Sequence, residues 1–139
     1  MNVLLAVDGS DYTRRMLDYV VKQDWLMQAS RLSVFTVVLR IPHRAAAMAG
    51  PDLAHAYYQD DAELALRPVR ERLSGLGKDA SCSWVIGHPA DEIVRKAAEE
   101  DIDLIVMGSH GHGALANIVL GSVATRVLAT CKSPVLLIR

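Results

Sequence analysis

The stretch from Met107 to Ser122 reads Met-Gly-Ser-His-Gly-His-Gly-Ala-Leu-Ala-Asn-Ile-Val-Leu-Gly-Ser, and these are the residue types best suited to gripping an anion. Its glycines let backbone amides come close to a phosphate, and a helix N-terminus after them would add partial positive charge. The order is Gly108, two residues, Gly111, nine residues, Gly121, then Ser122. That is neither the Walker pattern, which wants Lys after Gly, nor the dinucleotide fingerprint, whose glycines run straight into a helix. A tight strand-to-helix connection alone would need one glycine, so their number favours a phosphate cradle. Ser122 can cap the helix and touch a phosphate at once, because both roles use the same helix end.

Other residues offer weaker chemistry. Asp8, in Asp8-Gly9-Ser10-Asp11, reads two ways. It caps the following helix, or it meets a ligand's sugar hydroxyls or a phosphate-bound divalent ion; a carboxylate beside bare phosphates would be repelled. His110 and His112 form a His-x-His pair with no third ligand in sequence, so they read as solvated loop histidines that brush phosphate rather than as a zinc site. Cys82 and Cys131 match no metal spacing and read as reduced structural thiols. His43 and His55 have no motif around them.

The elements that must position these groups follow from the apolar pattern. Asn2–Val7, Leu32–Leu39, Ser81–Ile86, Ile102–Met107 and Ser133–Ile138 are apolar or β-branched runs of strand length, continuous as in strands buried on both faces. Helices are expected over Tyr12–Ala29, Asp52–Leu76, His88 to about Glu100, and Val123–Ala129. Ser10 or Asp11 can cap the first, and Pro68 should kink or break the second. Ile41–Pro51, with Pro42, Gly50 and Pro51, reads as an irregular loop. Strands alternating with helices give βαβ units and an open parallel sheet of five strands with helices on both faces. In such a sheet the ligand lies beyond the strands' carboxyl ends, where strand order reverses. If strands one and four are neighbours, Asp8-Gly9-Ser10, Val37-Val38 and the glycine stretch converge there.

The chain has 139 residues, of which 51% are hydrophobic and 5% aromatic, with a net charge of −1. One domain over residues 1–139 is expected. No run approaches a membrane span, and no basic segment precedes Val3–Val7, so a cytoplasmic protein without a membrane partner is expected. The near-neutral charge and few aromatics argue against nucleic acid.

Four motifs in order resemble the universal stress protein family: Val7-Asp8-Gly9-Ser10, Gly87-His88-Pro89-Ala90, Gly108-x-x-Gly111-x(9)-Gly121-Ser122, and the terminal Ser133-Pro134-Val135-Leu136-Leu137-Ile138. The glycine pattern is similar to that of the family's ATP-binding branch. The resemblance implies a Rossmann-like sheet ordered 3-2-1-4-5 and homodimers through the last strand, Val135, Leu136, Leu137 and Ile138. It implies ATP or another adenine nucleotide in the cleft, with Mg2+ bound through the phosphates. Ala6, Val37 and Met107 would flank the adenine, and Gly108 would lie against the ribose. Gly111, Gly121, Ser122 and the amides of Val123 and Ala124 would hold the phosphates, and Asp8 would reach the ribose or the ion. Some nucleotide-binding members carry proline where Ala6 stands.

Three functions follow as alternatives: a nucleotide-binding regulator with little or no hydrolysis, a slow ATP-hydrolysing enzyme, or a nucleotide-free dimeric signalling module. The glycine stretch lacks a lysine, Lys132 lies a helix away, and Arg126 is expected to point outward, whereas phosphoryl transfer needs cationic clamps. The regulator is favoured, with no catalytic residue assigned.

Overall fold

The computed structural model describes residues 1–113, 115 and 117–139; Ala114 and Ala116, inside the glycine-rich stretch, lie outside the described residues. The chain runs β1 (Asn2–Ala6), α1 (Asp11–Val20), α2 (Asp24–Met27), β2 (Arg31–Val38), α3 (His43–Ala49), α4 (Pro51–Gly75), β3 (Ser81–Ile86), α5 (Pro89–Glu99), β4 (Leu104–Gly108), α6 (Ser122–Thr130) and β5 (Val135–Ile138). The five strands form one parallel sheet ordered β3-β2-β1-β4-β5, with Ala6 opposite Phe35 on one side and Met107 on the other. That is the expected order.

Side chains alternate across the sheet and fill two cores. Val3, Leu5, Val34 and Val106 pack with Met16, Val20, Leu66 and Leu73 of α1 and α4. Leu4, Ala6, Phe35, Ile105 and Met107 pack with Ile93, Ala97, Ala124 and Val127 of α5 and α6. Leu4 and Leu5 are fully buried on opposite faces of β1, and burial of each is worth about 1.5–3 kcal/mol. β1 is therefore apolar from Val3 to Ala6, where neither face meets water.

Three expectations change. The helix read over Tyr12–Ala29 is two, separated by a turn at Val21–Gln23. Thr13, Met16, Leu17 and Val20 make the buried stripe of α1; one more turn on that stripe would carry Asp24 into the core. Turning instead buries Leu26 completely and leaves Asp24 at the start of α2. The loop read over Ile41–Pro51 contains α3, about two alanine-rich turns between Pro42 and Gly50, with no buried residue. Its flanking proline and glycine are end signals rather than loop signals, and alanine has the strongest helix propensity. Pro68 does not break α4, which runs unbroken over 25 residues. Proline removes one backbone donor, to Leu64, but Leu66, Val69 and Leu73 anchor the helix on either side of it.

On α4 the Arg70 guanidinium donates to both Glu63 oxygens, at 3.1 and 2.9 Å. That bond, with the charges of Arg70 and Arg67, holds the Glu63 carboxyl below its ordinary range despite partial burial.

Candidate functional site

Beyond the carboxyl ends of the strands lies a cavity of about 560 Å³, within the size range of small-molecule sites. It sits where β1 and β4 diverge, the switch point of the sheet. Ala6, Asp8, Val37, Met107, Gly108, Gly111, Gly121, Ser122, Val123 and Ala124 all line it. The alternation of the strands divides its walls. Ala6, Phe35, Val37 and Met107 face the α5–α6 side, while Val7, Thr36 and Val38 face the α1–α4 side.

Asp8 is not the cap of α1. Ser10 takes that place, its side chain accepting from the Thr13 amide at 3.4 Å. Asp8 Oδ1 instead accepts from the Ser10 amide at 2.9 Å and the Thr13 hydroxyl at 2.8 Å, and that hydroxyl accepts from the Asp8 amide at 3.0 Å. One carboxylate oxygen is thus tied down, which fixes the direction of the other. Oδ2 faces Gly111: a Cβ on Gly111 would sit 2.6 Å from it.

The other glycines of the pattern also face protein neighbours, Gly108 as tightly and Gly121 less so. A Cβ on Gly108 would lie 2.7 Å from Tyr12 Cβ, and one on Gly121 would lie 3.1 Å from His110 Cα. The pattern therefore serves first to fold the loop tightly on itself and on the β1–α1 turn.

His110 and His112, read as solvated loop histidines, are each tied down by hydrogen bonds, although His112 stays exposed. His110 Nε2 donates to the Ile118 carbonyl at 2.7 Å, its Nδ1 lies 2.8 Å from the Ser109 hydroxyl, and its ring lies 4.9 Å from that of Tyr12. His112 Nε2 donates to the Asp8 carbonyl at 2.7 Å. The two imidazoles staple the loop to itself and to the β1–α1 turn. Among the described residues no group of three or more His, Cys, Asp or Glu could hold a metal ion.

The chain then enters α6 with Gly121, not Ser122, as N-cap; Ser122 is the first helical residue. Gly121 has no side chain to cap with, so the amides of Ser122, Val123 and Ala124 have no acceptor among the described residues. These unpaired donors open on the cavity that the same residues line. Such a helix start is a ready anion site.

The cavity's charge is unusual for one built around such a site. Asp8 and Asp61 line it, and no lysine or arginine does so among the described residues. Arg126 lies outside, paired with Asp91 at 2.9 Å.

Sequence reasoning missed Thr13 as the anchor of Asp8, and Thr36, Tyr57 and Asp61 as lining residues. Tyr57, Asp61 and Ala65 are spaced four apart on α4, a helical stripe that the sequence carries. Nothing local in the sequence says that this stripe faces β2.

The model of the universal stress protein family matches residues 1–139. The chain is 31% identical to universal stress protein YxiE of Bacillus subtilis, over 99% of this chain and 97% of that protein. Among solved structures, universal stress protein UspA from Lactobacillus plantarum superposes with a TM-score of 0.82 at 23% identity, covering 100% of this chain and 97% of that one. A universal stress protein in complex with cAMP superposes with a TM-score of 0.70 at 27% identity, with the same coverage.

Proposed function

This chain belongs to the universal stress protein family, and from that premise we propose that it is an adenine-nucleotide-binding regulatory protein. The observation that carries the reading is the start of α6, where three amides without an acceptor among the described residues open on a cavity whose α5–α6 wall is apolar. Adenine stacks against Ala6, Val37 and Met107. Asp8 Oδ2 and the Gly108 backbone meet the ribose. The phosphates lie on the amides of Gly111, Ser122, Val123 and Ala124, whereas the Gly121 amide is taken by the Ser109 carbonyl at 2.8 Å. The cAMP-bound relative supports an adenine nucleotide over other anions.

When the ligand is ATP, Mg2+ held through its phosphates would supply the positive charge that offsets their repulsion by Asp8 and Asp61. With Asp8 Oδ2 turned to the ribose, phosphate and water oxygens would make up most of the ion's shell. Hydrolysis is slow or negligible, because no lysine or arginine of the described cleft stands by a transferring phosphoryl group and Arg126 is engaged by Asp91. The nucleotide thus acts as a retained signal. The protein works as a homodimer through β5, the sheet's edge strand, whose outward amides seek a partner. Its two free cysteines suit the reducing cytoplasm.

Denaturing freshly purified protein and identifying the released small molecule by chromatography and mass tests the reading. Release of an adenine nucleotide is the expected result. No release, followed by no heat on titration with AMP, cAMP or Mg-ATP, overturns it.

A further inference from the structure

Thr36 lies on β2 with its side chain on the α1–α4 face, beside Val7 and opposite Trp84 of β3. The residue is 4% exposed, yet its hydroxyl has no hydrogen-bond partner among the described residues. No sealed side-chain polar atom lacks a partner among those residues, so the Thr36 hydroxyl is not sealed. The small opening that Thr36 retains is the cavity it lines. A buried strand position with a hydroxyl instead of a methyl carries a desolvation cost that a valine would avoid, unless a ligand completes the bond.

Across from it, α4 presents Tyr57, Asp61 and Ala65 to the same cavity. Asp61 has no ion-pair partner among the described residues. Ala65 carries α4 close to the β1–α1 turn: a Cβ on Gly9 would meet Ala65 Cα at 3.5 Å. Asp8, with Oδ2 still uncommitted, is the next residue after Val7. This side of the cavity therefore offers the carboxylates of Asp8 and Asp61 and the hydroxyls of Thr36 and Tyr57, with no lysine or arginine lining it among the described residues. Such a wall rejects phosphate and accepts groups that donate hydrogen bonds without carrying negative charge.

We infer that Thr36 and Asp61 form a sugar-reading wall, which binds the vicinal hydroxyls of the nucleotide's ribose together with Asp8 and selects ribonucleotides over deoxyribonucleotides. The inference rests on the proposed nucleotide reading and extends it to residues on the face opposite the adenine contacts. It also separates the ends of the ligand: phosphates go to the amides of α6, and hydroxyls go to the acidic wall under α4. A site built to bond a hydroxyl discriminates against the analogue that lacks it, because its own polar groups are left unpaired.

The test is calorimetric titration of AMP, 2′-deoxy-AMP and 3′-deoxy-AMP into the full-length chain and into Thr36→Val, Thr36→Ser and Asp61→Asn. The wild type should bind AMP about five- to tenfold more tightly than at least one deoxy analogue. Thr36→Val should lose that preference by weakening AMP alone, while Thr36→Ser keeps it and Asp61→Asn reduces it. Thr36→Val should melt at or above the wild-type temperature without nucleotide, which separates lost recognition from lost fold. A wild type that binds all three equally, or a Thr36→Val protein that still prefers AMP, overturns the inference and leaves the nucleotide reading standing. A wild type that binds none of the three overturns the inference, and if cAMP and Mg-ATP also give no heat the nucleotide reading falls with it.

Discussion

Gly111→Ala is the most informative small change in this protein, because one methyl group lands on the carboxylate that the cleft is built around. The added Cβ would lie 2.6 Å from Asp8 Oδ2, against 3.4 Å for ordinary contact, so about 0.8 Å of movement is needed. Asp8 cannot turn aside freely. Its Oδ1 holds the Ser10 amide and the Thr13 hydroxyl at 2.9 and 2.8 Å, and rotation would break both bonds. Hydrogen bonds to a charged group are worth about 1.5–3 kcal/mol each. The carboxylate is exposed to the cleft and water replaces part of that loss, so a total near 2 kcal/mol is expected. The alternative is for the loop to retreat, which strains the His112 bond to the Asp8 carbonyl. Either route displaces the nucleotide contacts of Asp8 or of the Gly111 amide, and affinity should fall about tenfold to thirtyfold. Titration of AMP or Mg-ATP, with thermal melting alongside, measures both effects. The decisive control is the same substitution in an Asp8→Ala background, where the clash has no partner and the two effects should be strongly non-additive. Gly111→Ala with wild-type affinity and stability, or full additivity with Asp8→Ala, would refute the packing argument.

Three further outcomes are expected. Because two carboxylates and no lysine or arginine line the described cleft, ATP should bind at least about tenfold more weakly in EDTA than with Mg2+, while AMP changes less than about twofold; equal ATP affinity in both conditions would remove the metal bridge. In β5 the Leu137 amide points away from β4, since Ile105 and Ser109 of the β4 run donate to Pro134 and Ile138 on alternate positions; Leu137→Pro should leave the fold intact and shift sedimentation from dimer to monomer, whereas a wild-type monomer at every concentration would exclude the dimer. Glu63 has its folded pKa lowered by Arg70, so its contribution is present above the ordinary value of 4.5 and lost as pH falls through the folded value. Glu63→Gln should therefore cost about 0.5–1 kcal/mol near neutral pH in chemical unfolding, and converge with wild type in acid.

The sheet was legible because its central strands are buried on both faces, which leaves runs such as Val3–Val7 with no polar residue to confuse their period. Ser81–Ile86 was read to the residue, since Gly87 closes it sharply. What escaped were decisions made by distant partners. The turn at Val21 depends on where Asp24 would fall relative to the sheet, and the persistence of α4 through Pro68 depends on packing against β2 and β3. The histidines illustrate the same limit more sharply. His112 finds its partner 104 residues away in the chain, and no local pattern distinguishes that imidazole from one in solvent. Thr36 looked like one more β-branched strand residue, and its hydroxyl acquired meaning only when the cavity beside it was known.

The glycine pattern was read from sequence as a device for approaching phosphate, yet Gly108, Gly111 and Gly121 each owe their missing side chain to a protein neighbour. The two readings meet in the chain's path. Contact of Gly108 with Tyr12 and of Gly111 with Asp8 brings the loop down onto the β1–α1 turn. Contact of Gly121 with His110, and its amide bond to the Ser109 carbonyl at 2.8 Å, returns the chain to the end of β4 before α6 begins. The helix therefore starts at the mouth of the cavity, behind a residue that has no side chain with which to satisfy its first amides. A serine or aspartate at position 121 would crowd His110 and Ser109 and would also cap the very donors that an anion needs. Tight packing and phosphate binding are thus consequences of one requirement on position 121, and a motif that seems to describe a ligand describes the loop that makes room for it.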